Sequence, residues 1–297
     1  MRTSTQLTNP RGFSTDRMRF SDPIPGSIPD SKPAITYKRI NISVINEDGT
    51  IGDLIIPTEK CYSFGVSENT NQETGKVNGF VMPLVLADRT GPTQAQTDFI
   101  NAFNNTVDRV KEYLLESKEQ LELYELEPAD LKKLNPLYYK KEKGKVVEGS
   151  APTLYAKLIV SKKQGEKIMT VFVNEETEDS INPLDLLGKH CYARGAIKFE
   201  SIFIGNKISI QVKLIECQVT LVDFGFKRLL PRPSSVSVVK NETKNTVPMS
   251  LKNDDDDDDL GSLAGDDKID EDEAPIEDSI KTIPKKVVKK VVKKVGK

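Results

Sequence analysis

Two stretches of this chain set aromatic rings beside cations, the pairing needed to stack bases while neutralising phosphates. The first is "HCYARGAIKFESIFIGNKISIQVKLIECQVTLVDFG" (190–225) with the residues just after it. Alternation there places Tyr192, Arg194 and Lys198 on one side of a first strand, opposite Ala193, Gly195, Ile197 and Phe199. In a second strand Lys207, Ser209, Gln211 and Lys213 oppose Ile208, Ile210, Val212 and Leu214. Over 189–232, with Lys227 and Arg228 included, eight basic residues face three acids. The second stretch is Tyr138-Tyr139-Lys140-Lys141, followed by Lys143 and Lys145. Each has a plainer reading: a solvated sheet face for the hairpin, and a ring fastening a linker to the core for Tyr138. Tyr37, Tyr62, Phe64, Tyr155 and Phe172 fall within strands, and most are expected in the core.

Other chemistries lack their residues. There is no P-loop, GxGxxG or GxSxG pattern, and Asp185 and Asp223 near strand ends read as turn or cap residues. His190 is the one histidine. Cys61, Cys191 and Cys217 lie far apart with no CxxC, so the expectation is buried thiols in a reducing compartment and no metal site. Neither catalysis nor a cofactor is expected. No apolar run approaches the roughly 18 residues of a membrane span. The polar start lacks a signal-peptide core, so secretion is not expected.

The elements that position these residues follow from periodicity. Pro23, Pro25, Pro29 and Pro33 make 1–33 read as an irregular or disordered arm, whose arginines (Arg2, Arg11, Arg17, Arg19) could touch phosphate but fit a solvated leader better. Strands begin with "ITYKRINISVI" and return after the turn Asn46–Gly49; two more follow, "KCYSFGV" and "GFVMPLVL". Phe99, Phe103, Val107, Val110 and Leu114 predict an amphipathic helix over 94–118 with Thr93 as N-cap. A further helical turn is expected over 127–134. Strands resume at Thr153, with a hairpin around "KQGE", a loop containing a short helical turn, and the long 190–222 hairpin. Short turns between neighbours predict antiparallel pairing. The fold class is mainly β with a helical insertion (α+β): a nucleic-acid-binding domain over 34–232, with the insertion at about 93–134.

Charge divides the chain. The total of 43 Lys+Arg against 45 Asp+Glu hides an acidic stretch, 254–278, of fourteen acids and one Lys. Eight lysines and no acid follow in 279–297, and 1–253 is left at +3. Residues 233–297 therefore read as a disordered tail, acidic over 254–278 and basic over 281–297. The carboxylates could cover a basic groove in cis or recruit partners. The "KKVVKKVVKKVGK" end could bind phosphate, pair with the acidic run, or serve as a nuclear address.

The strand order, with "YKRINISVI", "APTLYAKLIV" and above all "ARGAIKFESIFIGNKISIQVKLIECQV", resembles the single-stranded DNA-binding protein family of the nucleocytoplasmic large DNA viruses, the asfarvirus type, over roughly 35–226. The resemblance implies an OB-fold-like antiparallel barrel that binds single-stranded DNA, or RNA, without base specificity. It implies a role in viral replication, recombination or repair, in the host cytoplasm (the viral factory) or nucleus, or packaged in the virion. The partners expected are the single strand, viral replication proteins through the acidic tail, and further copies of the chain, with no membrane. The competing expectation is a structural or packaging virion protein acting as a scaffold. The Asp block with a lysine-rich end departs from the family pattern.

Overall fold

The computed structural model describes residues 4–28, 35–70, 75, 77–88, 90–143, 145–147, 149–161 and 167–222. All lie in the first of the chain's two units, Met1–Gly265. Twelve strands share one sheet. Before the helix come β1 (Met18–Phe20), β2 (Ile24–Ile28), β3 (Ile35–Ile45), β4 (Ile51–Pro57), β5 (Cys61–Ser63), β6 (Ser67–Thr70) and β7 (Val77–Val85). After α1 (Gln94–Glu116) come β8 (Leu137–Tyr138), β9 (Thr153–Leu158), β10 (Val171–Asn174), β11 (Cys191–Ile204) and β12 (Ile208–Leu221).

The alternation in 190–222 produces the longest pair. β11 and β12, 14 residues each, run antiparallel from Cys191↔Leu221 to Ile204↔Ile208. Ala193, Ile197, Phe199, Ile210, Val212 and Leu214 are buried, while Tyr192 and Arg194 face outward. The register slips once between Ala196 and Ile197 and once between Phe199 and Ser201, leaving Ile215 and Glu200 as the extra residues. Each bulge bends its strand and raises its twist, which a closing barrel requires.

Five strands close into a ring. β5 pairs β7 (Tyr62↔Val85) and β7 pairs β9 (Leu84↔Leu154). β9 then pairs β12 (Leu158↔Leu214), β12 pairs β11, and β11 returns to β5 (Ala193↔Cys61). The expected antiparallel barrel needs one correction: the β9–β12 seam is parallel, as is β10–β12. A long connection carrying β10 and β11 lies between β9 and β12, and only a tight turn would have forced the opposite sense. The edge of β11 away from β12 takes β5, β4 and β3 in succession, at Ala193↔Cys61, Phe199↔Leu54 and Ile202↔Ile40.

The helix follows its sequence pattern. Thr93 and Gln96 form a reciprocal capping box. All five residues of the predicted stripe are buried, and the Phe103 ring lies 4.7 Å from that of Phe199. Helix and barrel therefore share one apolar cluster. The expected turn over 127–134 is a 3-10 turn, Asp130–Lys133.

The N-terminal expectation is overturned for its described residues. β1 and β2 both pair with β3, and Thr8 N–H donates to the Ile55 carbonyl at 2.7 Å. Pro25 is accommodated because β2 has β3 as its single strand partner, so the missing N–H breaks no ladder. Arg17 Nε donates to Ile45 O at 2.7 Å, and Arg19 to Asp16 O (2.7 Å) and Met18 O (2.6 Å). These two arginines fasten backbone. Residues 223–297, with the expected domain end and the tail, lie outside the described residues.

Two outcomes test this packing. Phe103→Ala should cost about 3–5 kcal/mol by opening a cavity against Phe199, read as a lower urea midpoint at unchanged slope. Burial pushes the Cys61 thiol up to about 12, that of Cys191 to about 11, and that of Cys217 well above its ordinary value. Native protein at pH 8 should therefore leave all three unreacted with a thiol reagent, and all three should react in denaturant. The sign for stability follows. The contribution of these thiols is intact below about pH 9 and declines as pH rises toward 11–12, where the unfolded thiols ionise and the buried ones resist.

Candidate nucleic-acid interface

The ring of strands carries an outward-facing register row. Thr220 stands opposite Tyr192, Tyr192 opposite Tyr62, Tyr62 opposite Val85, Val85 opposite Thr153, and Thr153 opposite Tyr138. Three tyrosines separated widely in sequence thus share one line across the strands. From Tyr192 to Tyr138 are four inter-strand steps of about 4.8 Å each. A second ring, Tyr155, lies two residues beyond Thr153 and meets Tyr138 edge-on at 6.3 Å.

The Tyr192 end is the denser one. Tyr62 contacts Phe64, His190 and Tyr192 edge-on at 5.3, 5.7 and 5.9 Å, and Phe64 contacts His190 at 5.6 Å. The Tyr62 hydroxyl hydrogen-bonds His190 Nδ1. Phe64 is 50% exposed and Tyr192 42%, so the cluster presents ring surface to solvent. Gly65 makes this approach feasible: its φ is +86°, and a Cβ there would meet the Leu186 and Lys189 carbonyls at 2.4 Å. Val66 N–H donates to Leu186 O at 3.0 Å, holding the 186–190 loop against Phe64. An open cleft beside Tyr192 is lined by Glu59, Lys60 and the first turn of α1.

Four cations on the outer side of the barrel stand beside carboxylates. Arg194 meets Glu59 at 2.6 Å, Lys60 meets Glu175 at 2.5 Å, Lys198 meets Asp53 at 2.8 Å, and Lys213 meets Glu200 at 3.9 Å. The Lys60 backbone N–H, then Arg194, holds the Glu59 carboxyl below its ordinary range; the Lys60 ammonium, then the Thr220 hydroxyl, does the same for Glu175. Each of these four cations thus stands beside a carboxylate.

The expected site residues divide accordingly. Tyr192 and Tyr138 fall on the row, and Arg194 stands outward two residues from Tyr192. Lys198 and Lys213 are direct cross-strand neighbours. Lys207 is exposed at the β11–β12 turn, and Lys140 and Lys141 are exposed after β8. Tyr139 is half-buried and packs on the apolar cluster, off the row. Lys227 and Arg228 lie outside the described residues. Sequence reasoning missed Tyr62, Phe64 and His190 as a group. Of the five rings expected mostly in the core, Phe172 alone is buried, while Phe64 and Tyr155 are exposed. The available signal was the i, i+2 spacing of Tyr62 with Phe64 and of His190 with Tyr192, which puts each pair on one side. The residues up to 222 hold 28 bases against 29 acids, whereas 223–253 hold six against two. The +3 of 1–253 thus belongs to its last stretch.

Two curated relatives share part of this chain. One is "Uncharacterized protein 007R" of Invertebrate iridescent virus 3, 26% identical over 164 residues, which are 54% of this chain and 34% of that protein. The other is "Early 31 kDa protein" of Frog virus 3 (isolate Goorha), 30% identical over 157 residues, 52% of this chain and 59% of that protein. The chain thus spans less than two thirds of either relative's length. No solved structure matches it significantly. A family model described as "Protein of unknown function (DUF2738)" matches residues 13–262, most of the chain, and the protein therefore belongs to that family.

Proposed function

We propose that this protein binds single-stranded DNA, or RNA, without base specificity, in viral replication, recombination or repair. The observation that carries the reading is the outward row Tyr192–Tyr62–Tyr138 with Phe64 and His190 at one end. Base stacking is sequence-tolerant because every base has a π-face. The ring order adds support. Taking β5, β7, β9, β11 and β12 as strands one to five, it runs 1-2-3-5-4 with a parallel 3–5 seam. That is the Greek-key order of an OB-fold, whose outer face over strands 2–3 and whose 1–2 and 4–5 loops bind oligonucleotides. Lys207 stands on the 4–5 loop. Here α1 enters between strands two and three, as an elaboration of that plan.

The likeness to the single-strand-binding proteins of nucleocytoplasmic large DNA viruses belongs to the same reading. Both curated relatives are viral proteins, one of them named as early, which accords with it. The reading includes no catalytic step and no cofactor. It places the protein in the viral factory, the nucleus or the virion, with replication proteins drawn to the acidic stretch 254–278 and copies of the chain as partners. That stretch competes with the strand in cis.

A scaffold or packaging role is the second reading. Met169, Val171 and Leu184, all more than 40% exposed, line one groove with Phe80 and Ile168, an apolar surface suited to protein contact.

Labelled oligo(dT) and a duplex of equal length, compared by fluorescence anisotropy, decide between the two. Strong preference for the single strand supports the first reading, and absence of binding to either sinks it. Tyr62→Ala and Tyr192→Ala should each weaken binding by about 1–3 kcal/mol, roughly five- to 150-fold. Deleting 254–278 should tighten binding at low salt, and unchanged affinity there removes the competition in cis.

A further inference from the structure

We infer that a bound strand is gripped by two unlike contacts at opposite ends of the ring row: base stacking at Tyr192, Tyr62 and Phe64, and phosphate contact at a lysine ribbon beside Tyr138. The inference rests on the single-strand reading and names where along the row the backbone is held. The ribbon is the antiparallel pair Lys141–Glu142 and Lys145–Val146, separate from the twelve-stranded sheet. Its register sets Lys141 opposite Val146 and Glu142 opposite Lys145, and Val147 N–H donates to the Lys140 carbonyl at 2.8 Å. β8 fixes its place, since Tyr138 pairs with Thr153 on β9. Lys140 follows Tyr138 by two residues, at most about 7 Å along the chain. The cations are therefore tied to the last ring of the row, about 19 Å along the surface from Tyr192.

Three observations set the two ends apart. First, their cations are matched differently. At the Tyr192 end Arg194 meets Glu59 at 2.6 Å and Lys60 meets Glu175 at 2.5 Å, and Asp88 joins Glu59 in lining the cleft there. At the Tyr138 end Lys140, Lys141, Lys143 and Lys145 accompany Glu142, the one acid among the described residues of 137–147. Glu148 lies outside the described residues, and with it counted the stretch still carries four cations against two acids. Glu142 reaches Lys140 at 3.8 Å with both side chains more than 60% exposed, a pair that water and salt screen heavily. Second, the ribbon buries little that would account for it: Lys141, Glu142, Lys143, Lys145 and Val146 are all exposed. A two-stranded ribbon with like charges crowded on it is marginal in water and gains when a polyanion neutralises them. Third, Lys143 at its turn holds a φ of +52°, a left-handed conformation that glycine or asparagine adopts at less cost. At that cost the turn keeps a cation at the tip of the ribbon.

The test uses full-length chains and labelled oligo(dT), with affinity followed between about 50 and 200 mM salt. A ribbon variant carries Lys140→Gln, Lys141→Gln, Lys143→Gln and Lys145→Gln. A companion carries Lys140→Arg, Lys141→Arg, Lys143→Arg and Lys145→Arg, which keeps the charge. A third variant carries Lys60→Gln and Arg194→Gln, and a fourth carries Tyr62→Ala and Tyr192→Ala. Each engaged cation contributes about 0.7 to the log–log salt slope for a single strand, so four account for about a 50-fold loss over that range. The Gln ribbon variant should shed most of that loss, and its Arg companion should keep it. The third variant should keep most of the wild-type slope, and the fourth should bind more weakly at every salt with the slope unchanged. A Gln ribbon variant with the wild-type slope overturns the inference. So does an Arg companion that loses the slope, or a third or fourth variant that flattens it as much as the Gln ribbon variant. Failure of the wild-type chain to bind at any salt sinks the single-strand reading instead, and this inference with it.

Discussion

The β11–β12 hairpin is the constraint on which the rest of this structure depends. Its two strands pair over their full length, and one edge of β11 then receives β5, β4 and β3 in turn. β12 carries both parallel seams, to β9 and β10. A one-residue slip would send Ala193, Ile197 and Val212 outward and bury Arg194 and Lys198, so the register is held by the cost of inverting the core. Each bulge, at Glu200 and at Ile215, adds one residue and shifts the alternation by one position, so the buried residues step from Phe199 to Ile202 and from Leu214 to Cys217 while the same face stays inward.

The same register that buries the core produces the row of outward rings. Side chains alternate across a strand, so fixing Cys191 and Ala193 inward fixes His190 and Tyr192 outward, and fixing Cys61 and Ser63 inward does the same for Tyr62 and Phe64. Closure then makes these separate alternations adjacent. Exposed rings in such a row are poorly explained by stability, because leaving them in water forfeits part of their apolar burial. Two ion pairs, Arg194–Glu59 and Lys60–Glu175, stand beside them. The described part of this surface carries exposed rings beside paired charges, and it differs from the uniformly cationic groove that a count of lysines on 189–232 suggests.

Charge counts mislead here for a physical reason. Eight bases against three acids in 189–232 describe a stretch of chain, but electrostatics is felt in space. Asp53, Glu59 and Glu175 come from β4, its following turn and the loop after β10, and each lands on a hairpin or neighbouring cation. Conversely, two of the cations assigned to the site, Lys227 and Arg228, stand in 223–253, where bases outnumber acids threefold. Tyr138 and Tyr139 show the same limit on a smaller scale. Adjacent in sequence, they point to opposite sides of β8 and its continuation, and one reaches solvent while the other meets the core.

Local periodicity was enough to read the 94–116 helix with its Thr93 cap, the facing of the long hairpin, the turn at Asn46–Gly49, the buried free cysteines and the segregated charge blocks. These depend on contacts between residues a few positions apart, and spacing is enough to read them. Long-range packing set the parallel β9–β12 seam, the recruitment of β1 and β2 into the sheet, the tyrosine row and the ion pairs of Arg194 and Lys60. Each brings together segments tens of residues apart, and no local pattern specifies which strand edge another segment will find. Pro25 shows the difference well: its ring forbids a ladder bond on one side, which sequence reads as disorder and the fold reads as an edge.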